Sequence, residues 1–199
     1  DAKQMITITP SSEFSSEQVV YVAIGTTVED EWDNAISASS STFTTADATA
    51  PSVNFDPEDT ATGIPIESNV TLTFSEAIRN VDDTAITNSN VGDLITLEYA
   101  YDHSPIAFTA TIDAAKKVIT INPDSDFISG EVVFVSIESV EDNSGNAMSA
   151  TSGTFSVTDV TPPVVAFSPA NLATNVSVDT DIYISFDEEI RLIDNSDIN

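Results

Sequence analysis

Oxygen-rich loops are the part of this sequence best suited to chemistry. In Glu141-Asp142-Asn143-Ser144-Gly145-Asn146, Asp142, Asn143 and Asn146 bring side-chain oxygens close together, and Glu29-Asp30-Glu31-Trp32-Asp33-Asn34 offers a comparable set with Asp30 at the place of Asp142. A hard cation such as calcium collects six to eight oxygens from carboxylates, amides and backbone carbonyls, and acidic loops supply them. A second set brackets a proline-containing segment, with Asp47 before it, Asp56, Glu58 and Asp59 after it, and Asp159 at the corresponding place further on. An ion held there would bridge two structural units and stiffen the link. This second set is irregular, because Ser168, Ala170 and Asn171 stand where Asp56, Glu58 and Asp59 would recur. Neither set has the spacing of an EF-hand or of an aspartate-rich nonapeptide repeat. Calcium therefore stands beside a plainer reading, in which these loops are acidic turns in water.

Other chemistry is poorly served. Glu76 and Arg79 recur as Glu188 and Arg191, and these are the two arginines of the chain. They could contact a ligand, but the stronger reading is structural: Arg pairs with nearby carboxylates to pin an irregular segment, worth about a kcal/mol or less if exposed. His103 lies in the loop Tyr101-Asp102-His103-Ser104-Pro105. A Ser-His-Asp set must converge in a pocket, and adjacency along one loop does not achieve that. Carboxylate pairs are too numerous to mark a glycosidase without a cleft, and the six glycines form no phosphate loop. Trp32, the sole tryptophan, sits at a loop tip, where it packs on its own domain edge or meets a sugar or a neighbouring unit. The chain is read as no enzyme.

The elements that position these loops come in repeats. KQMITITPSSEFSSEQVVYVAI, residues 3–24, returns 113 residues later as KKVITINPDSDFISGEVVFVSI. The stretch from Asp47 returns 112 residues later from Asp159, matching Pro51 with Pro163, Phe55 with Phe167 and Phe74 with Phe186. One period of about 112 residues defines three parts: the C-terminal part of a preceding copy (1–48), a complete copy (49–159) and the N-terminal part of a following copy (160–199). Neither flank can close a core alone if the copy is one folding unit. Because DAKQMITITP reads as the middle of a strand, the chain is taken as cut from a longer polypeptide, with targeting signals outside it.

Within the complete copy, alternation with period two dominates, as for half-buried strands. It runs through Val53 and Phe55, Val70 to Phe74, Ile95 to Tyr99, Phe108 to Ile112, Val118 to Ile121, Val132 to Ile137 and Thr154 to Val157. The expected fold is all-β: tandem immunoglobulin-like antiparallel β-sandwiches with about seven strands per module. A helical turn is expected near Asp82 to Ile86, capped by Asp82 or Asp83. Asp113-Ala-Ala-Lys116 reads as a tight connection, and the junction Asp159-Val-Thr-Pro-Pro163 as an extended, semi-rigid linker.

Charge narrows the partners. With 33 acidic and 5 basic residues the formal net charge is -28, so phosphate backbones and anionic lipid are repelled and no nucleic-acid partner is expected. Cysteine is absent, which removes disulfides and thiolate chemistry. No apolar run is long enough for a membrane span, so direct membrane insertion is not expected either.

The residues also carry a family resemblance. TPPVVAFSPANLATNVSVDTDIYISFDEEI, its parallel TAPSVNFDPEDTATGIPIESNVTLTFSEAI, ITINPDSDF and VEDNSGNAMSA together resemble bacterial immunoglobulin-like modules of S-layer proteins and large surface adhesins. The resemblance implies a secreted, multi-module protein at the cell surface, with the modules serving as spacers, lattice elements or adhesive units, often with bound calcium. It departs locally: Glu31-Trp32-Asp33 replaces Asn143-Ser144-Gly145, so a shared loop conformation is not expected there. The resulting expectation is a structural repeat of an extracellular surface protein, whose partners are the neighbouring modules of its own chain. Two alternatives remain: an adhesin module that binds a glycan or surface protein, and an accessory module of a secreted enzyme.

Overall fold

β-Branched and aromatic residues at alternate positions suit a pleated, half-buried surface, and strands account for almost all the regular structure. The computed structural model describes residues 4–193, leaving the outermost residues of both flanking parts (1–3 and 194–199) outside the description. In chain order, the preceding part contributes β1 (Val19–Ile24) and β2 (Ser39–Thr44), paired antiparallel. The complete copy holds β3 (Val53–Asp56), β4 (Ala61–Ile64), β5 (Val70–Phe74), β6 (Arg79–Asn80), a 3-10 turn at Val91–Leu94, β7 (Ile95–Tyr99) and β8 (Phe108–Ile112). It continues with β9 (Val118–Pro123), β10 (Val132–Ile137), β11 (Val140–Glu141), β12 (Ala147–Met148) and β13 (Thr151–Val157). The following part adds β14 (Val165–Ser168) and β15 (Tyr183–Phe186), also antiparallel.

Two four-stranded sheets, ordered β3-β5-β9-β8 and β4-β13-β10-β7, form the sandwich. A small third sheet, β12-β11-β6, closes one side. The inward residues of the two large sheets meet in a single core, including Val70, Leu72, Ile119, Ile121, Val133 and Phe155, all almost wholly buried. Fully burying one such side chain contributes about 1.5–3 kcal/mol. Phe127 and Phe155 meet edge to face with ring centroids 5.5 Å apart, a favoured aromatic geometry.

The sandwich follows the sequence reading with two differences. An eighth principal strand, β4, carries Ala61-Thr62-Gly63-Ile64, whose glycine at φ +71 hides any alternation. The helical turn expected near Asp82 to Ile86 is absent. Asp82 Oδ1 instead accepts hydrogen bonds from the Thr84 amide (3.1 Å) and hydroxyl (2.5 Å), and Asp83 takes φ +68, which together fold a non-helical turn. The expected tight connection is present: Lys116, at φ +59, donates its amide to the Asp113 carbonyl between β8 and β9.

One pairing sets the direction of the whole copy. β4 lies parallel to β13, with Ala61 opposite Phe155 and Ile64 opposite Val157. The chain therefore enters this pair at one end and leaves it at the other. Backbone bonds from Thr60 to the Thr154 carbonyl (2.6 Å) and from Thr158 to the Ile64 carbonyl (2.7 Å) fasten both ends of the pair.

Candidate functional site

The β11–β12 loop is built around Asp142, which is only 1% exposed. Its Oδ1 accepts the amides of Ser144 and Asn146, both at 2.8 Å, and its Oδ2 accepts Asn146 Nδ2 at 2.7 Å. Gly145 at φ +86 completes the turn, a conformation in which a side chain is costly. Asn143 is exposed on the rim. Burial pushes the Asp142 carboxyl up, but the hydrogen bonds from Asn146 and Ser144 and contact with Asp47 outweigh it, holding it below the ordinary aspartate range.

The same loop exists 112 residues earlier despite its changed sequence. Asp30 Oδ1 accepts the amides of Trp32 and Asn34, each at 2.9 Å, while Asp33 at φ +65 takes the place of Gly145. The aspartate and the asparagine four residues later define the conformation, and the residues between them have latitude. Trp32 is largely exposed at this loop tip.

Asp47 sits between two units. Its Oδ1 accepts the Ser16 hydroxyl at 2.8 Å and the Thr49 amide at 3.1 Å, tying it to the preceding part. On the other side it meets Glu76, in the turn after β5, and Asp142; one oxygen from each of the three lies within 4.8 Å of the others. Among the described residues this is the one such group of three acids. Glu76 is raised above the ordinary range by partial burial and by repulsion from Asp142, Asp47 and Glu17, with Lys117 opposing the shift. Lys117 Nζ donates to the Ser75 carbonyl at 3.2 Å, beside this turn.

The structure thus brings Asp47 together with Asp142 and Asn146, and engages the remaining candidates elsewhere. Asp59 Oδ1 accepts the Thr154 amide at 2.8 Å and so anchors β13. Asp56 is an exposed residue of β3 opposite Thr71. Asp159 repeats the junction role, with Oδ1 accepting the Ser129 hydroxyl (2.8 Å) and the Thr161 amide (2.9 Å), which lower its pKa. Arg79 pairs with Glu141 (2.9 Å) and Asp83 (2.5 Å), as the structural reading expects, and not with Glu76. Sequence reasoning missed Glu76 as a member of the acidic group. The available signal was that Asp47, Glu76 and Asp30 all recur at the same offset, as Asp159, Glu188 and Asp142.

His103 is an exposed loop residue at φ +58, with Nδ1 2.6 Å from Glu98 Oε1. That hydrogen bond and the Glu98 charge raise its pKa.

A profile described as a bacterial Ig-like domain matches residues 47–158. The chain belongs to that family. The matched residues include Asp47, Glu76 and Asp142, the three acids that face one another. No curated protein matches the chain. Among solved structures, domains 1–6 of the surface layer protein SbsC are similar at TM-score 0.41 and 11% identity, covering 60% of this chain and 15% of that one. The N-terminal part of the bacterial S-layer protein SbsC gives 0.39 and 15%, covering 60% and 26%. CopC from Methylosinus trichosporium OB3b gives 0.39 and 12%, covering 55% and 93%. The chain therefore spans 15% of the length of the first SbsC structure it matches. Among the described residues no helix is long and apolar enough to cross a membrane.

Proposed function

We propose that this chain is a run of spacer modules from a large bacterial surface protein, divided at 1–48, 49–159 and 160–199, and that its work is mechanical and spatial with no chemical turnover. The observation that carries this reading is the parallel pairing of β4 with β13. Tension applied at the two ends of a copy slides these strands along each other. Every hydrogen bond between them is then loaded together, whereas peeling a hairpin loads them one at a time. The junctions support the same reading: the Ser16–Asp47 and Ser129–Asp159 bonds recur at successive boundaries, next to prolines that restrict the linker. Pulling the chain from its ends in a single-molecule instrument tests it. The complete copy should unfold in one step, its 111 or so residues extending to roughly 37–40 nm at about 3.3–3.6 Å each, less the end-to-end distance of the folded copy. Asp59→Ala, which removes the Thr154 anchor, should lower the unfolding force. Extension without a distinct force step contradicts the reading.

Calcium belongs to this reading as its junction element. Asp47, Glu76 and Asp142 offer hard oxygen donors from the linker and from both halves of the copy, and part of the rise in the Glu76 pKa, after burial, comes from repulsion by Asp142 and Asp47 that a cation would relieve. A cation bound only by the folded junction raises the melting temperature by mass action. Thermal unfolding in calcium and in chelator, with small-angle scattering of the same samples, should show a higher melting temperature and a longer maximum dimension with calcium. No change in either removes calcium and leaves a proline-stiffened array. The strong negative charge fits such arrays, since it keeps neighbours apart and soluble. Recognition of a glycan or protein ligand, an adhesin role, is the second reading; an exposed aromatic patch repeated in every copy would favour it, whereas Trp32 is exposed but occurs once, with Ser144 at its repeat position.

A further inference from the structure

Two asparagines stand in the N-x-Ser/Thr pattern of an N-glycan acceptor, Asn69-Val70-Thr71 and Asn175-Val176-Ser177. They differ two residues upstream, where Glu67 precedes Asn69 and Ala173 precedes Asn175. Bacterial oligosaccharyltransferases take a carboxylate at that place, which pairs with a cation of the enzyme. Glu67-Ser68-Asn69-Val70-Thr71 is therefore the complete bacterial signal, and the second site is an incomplete one.

The fold of the complete copy leaves the first site open. Pro65 to Ser68 form a turn, closed by the Ser68 amide donating to the Pro65 carbonyl at 3.2 Å, and β5 begins at Val70. Glu67 and Asn69 are both exposed on this turn. Asn34, Asn80, Asn90 and Asn146 each donate a carboxamide hydrogen bond to a neighbouring group. Among the described residues no such bond engages Asn69. Alternation along β5 sends Val70 into the core, fully buried, and turns Thr71 to the outer face. The signal is thus presented to a transferase before β5 docks, on the chain as it is exported, and the folded module has only to leave room for the sugar. A polar recess of about 170 Å³ lies beside Asn69, walled in part by Glu67, Asn122, Asp124 and Asp126. Carboxylate and amide oxygens accept hydrogen bonds from sugar hydroxyls, and the Asn122 amide can donate one.

We propose that Asn69 is an N-glycosylation site, and that the first sugar of the attached oligosaccharide lies in this recess. In the transfer, Asn69 Nδ2 forms a bond to C1 of that sugar and gives up one proton. The bond from C1 to a polyprenyl pyrophosphate breaks, and the lipid pyrophosphate leaves with the electron pair. The proposal rests on the reading of the chain as an exported bacterial protein and is independent of its mechanical role.

The test directs the 199-residue chain to a bacterial periplasm together with an oligosaccharyltransferase and its lipid-linked oligosaccharide, and reads intact mass and glycopeptides. The wild-type chain should gain one glycan, at Asn69. Asn69→Gln and Glu67→Gln should each lose it, and Ala173→Glu, which completes the second signal, should add a glycan at Asn175. A wild-type chain left bare by a transferase that modifies an acceptor peptide in the same cells overturns the site, as does a glycan that survives Asn69→Gln. The glycosylated chain should melt cooperatively, at a temperature no lower than that of the bare chain. A lower or lost transition means that the fold has no room for the sugar and overturns the placement in the recess. None of these results bears on the force at which the bare copy unfolds, so failure here and failure of the spacer reading are distinguishable.

Discussion

The flanks and the complete copy carry the same motifs in opposite surroundings. Ile119 and Ile121 are fully buried between β5 and β8, whereas Ile6 and Ile8 are each 69% exposed. Leu72 is fully buried, and its counterpart Ile184 is mostly open to water. The local geometry is nevertheless kept. Phe14 and Phe43 meet edge to face at 5.8 Å, close to the 5.5 Å of Phe127 and Phe155, while Phe14 is 43% exposed and Phe127 3%. Turns, caps and hairpins are therefore set by nearby sequence, and burial is set by whether the other half of the copy is present. Stability should follow burial.

The sharpest way to break this comparison is to cut the same core position in both settings. Leu72→Ala should destabilise the complete copy by about 2–5 kcal/mol and lower its melting temperature accordingly, because it leaves a cavity between the sheets. Ile184→Ala should leave that transition unmoved in dilute solution. Calorimetry of both variants gives the answer, and equal losses would mean that the flank has a packed core.

The aspartate loops allow a second, smaller cut. Asp142→Ala removes the acceptor of the Ser144 and Asn146 amides in a part-buried loop and should destabilise the complete copy, by less than Leu72→Ala does. Asp30→Ala removes matching hydrogen bonds from an exposed loop and should not shift the main transition. Denaturant melts of the two separate these outcomes. The pH course supports the pair: Asp142 titrates below its unfolded value, so its contribution is present above the unfolded pKa and fades as pH falls through the folded one.

The junction acid should behave with the opposite sign. Glu76 is raised, so its ionisation at neutral pH opposes folding, and stability is lost as pH rises through its folded pKa. Glu76→Gln should therefore raise the melting temperature in chelator and reduce any response to calcium. A lower melting temperature in chelator would show that the charge is already compensated. The smallest effect belongs to His103. Its raised pKa places its contribution below the unfolded value and removes it as pH rises through the folded value. His103→Ala should lower the melting temperature slightly at pH 5.5 and not at pH 9, as a thermal scan at each pH will show.

The core and seven of the eight principal strands were legible because Val, Leu, Ile and Phe alternate there with polar residues. β4 was not, since Gly63 and a short run give no period, and its identity depends on pairing with β13 about ninety residues away. Asp82 illustrates a local choice that helix signals misjudge: its carboxylate is used by Thr84 within a turn. Of the acidic candidates, Asp47 and Asp142 were readable from their loops. Glu76 was hidden because it was read only alongside Arg79 and not with the junction acids, while Arg79 reaches across to Glu141 on β11. A sandwich brings together residues whose separation in sequence exceeds any local pattern, and the repeat offset was the one long-range signal present.

Hydrogen exchange of the dilute 199-residue chain tests most directly the claim that the complete copy is the folding unit and the flanks are open halves. Slowly exchanging amides should be confined to the complete copy, strongest in β5, β9, β10 and β13, with residues 5–10 and 173–176 exchanging at the rate of unfolded chain. Comparable protection of those two segments at a concentration where the chain is a monomer would contradict the account.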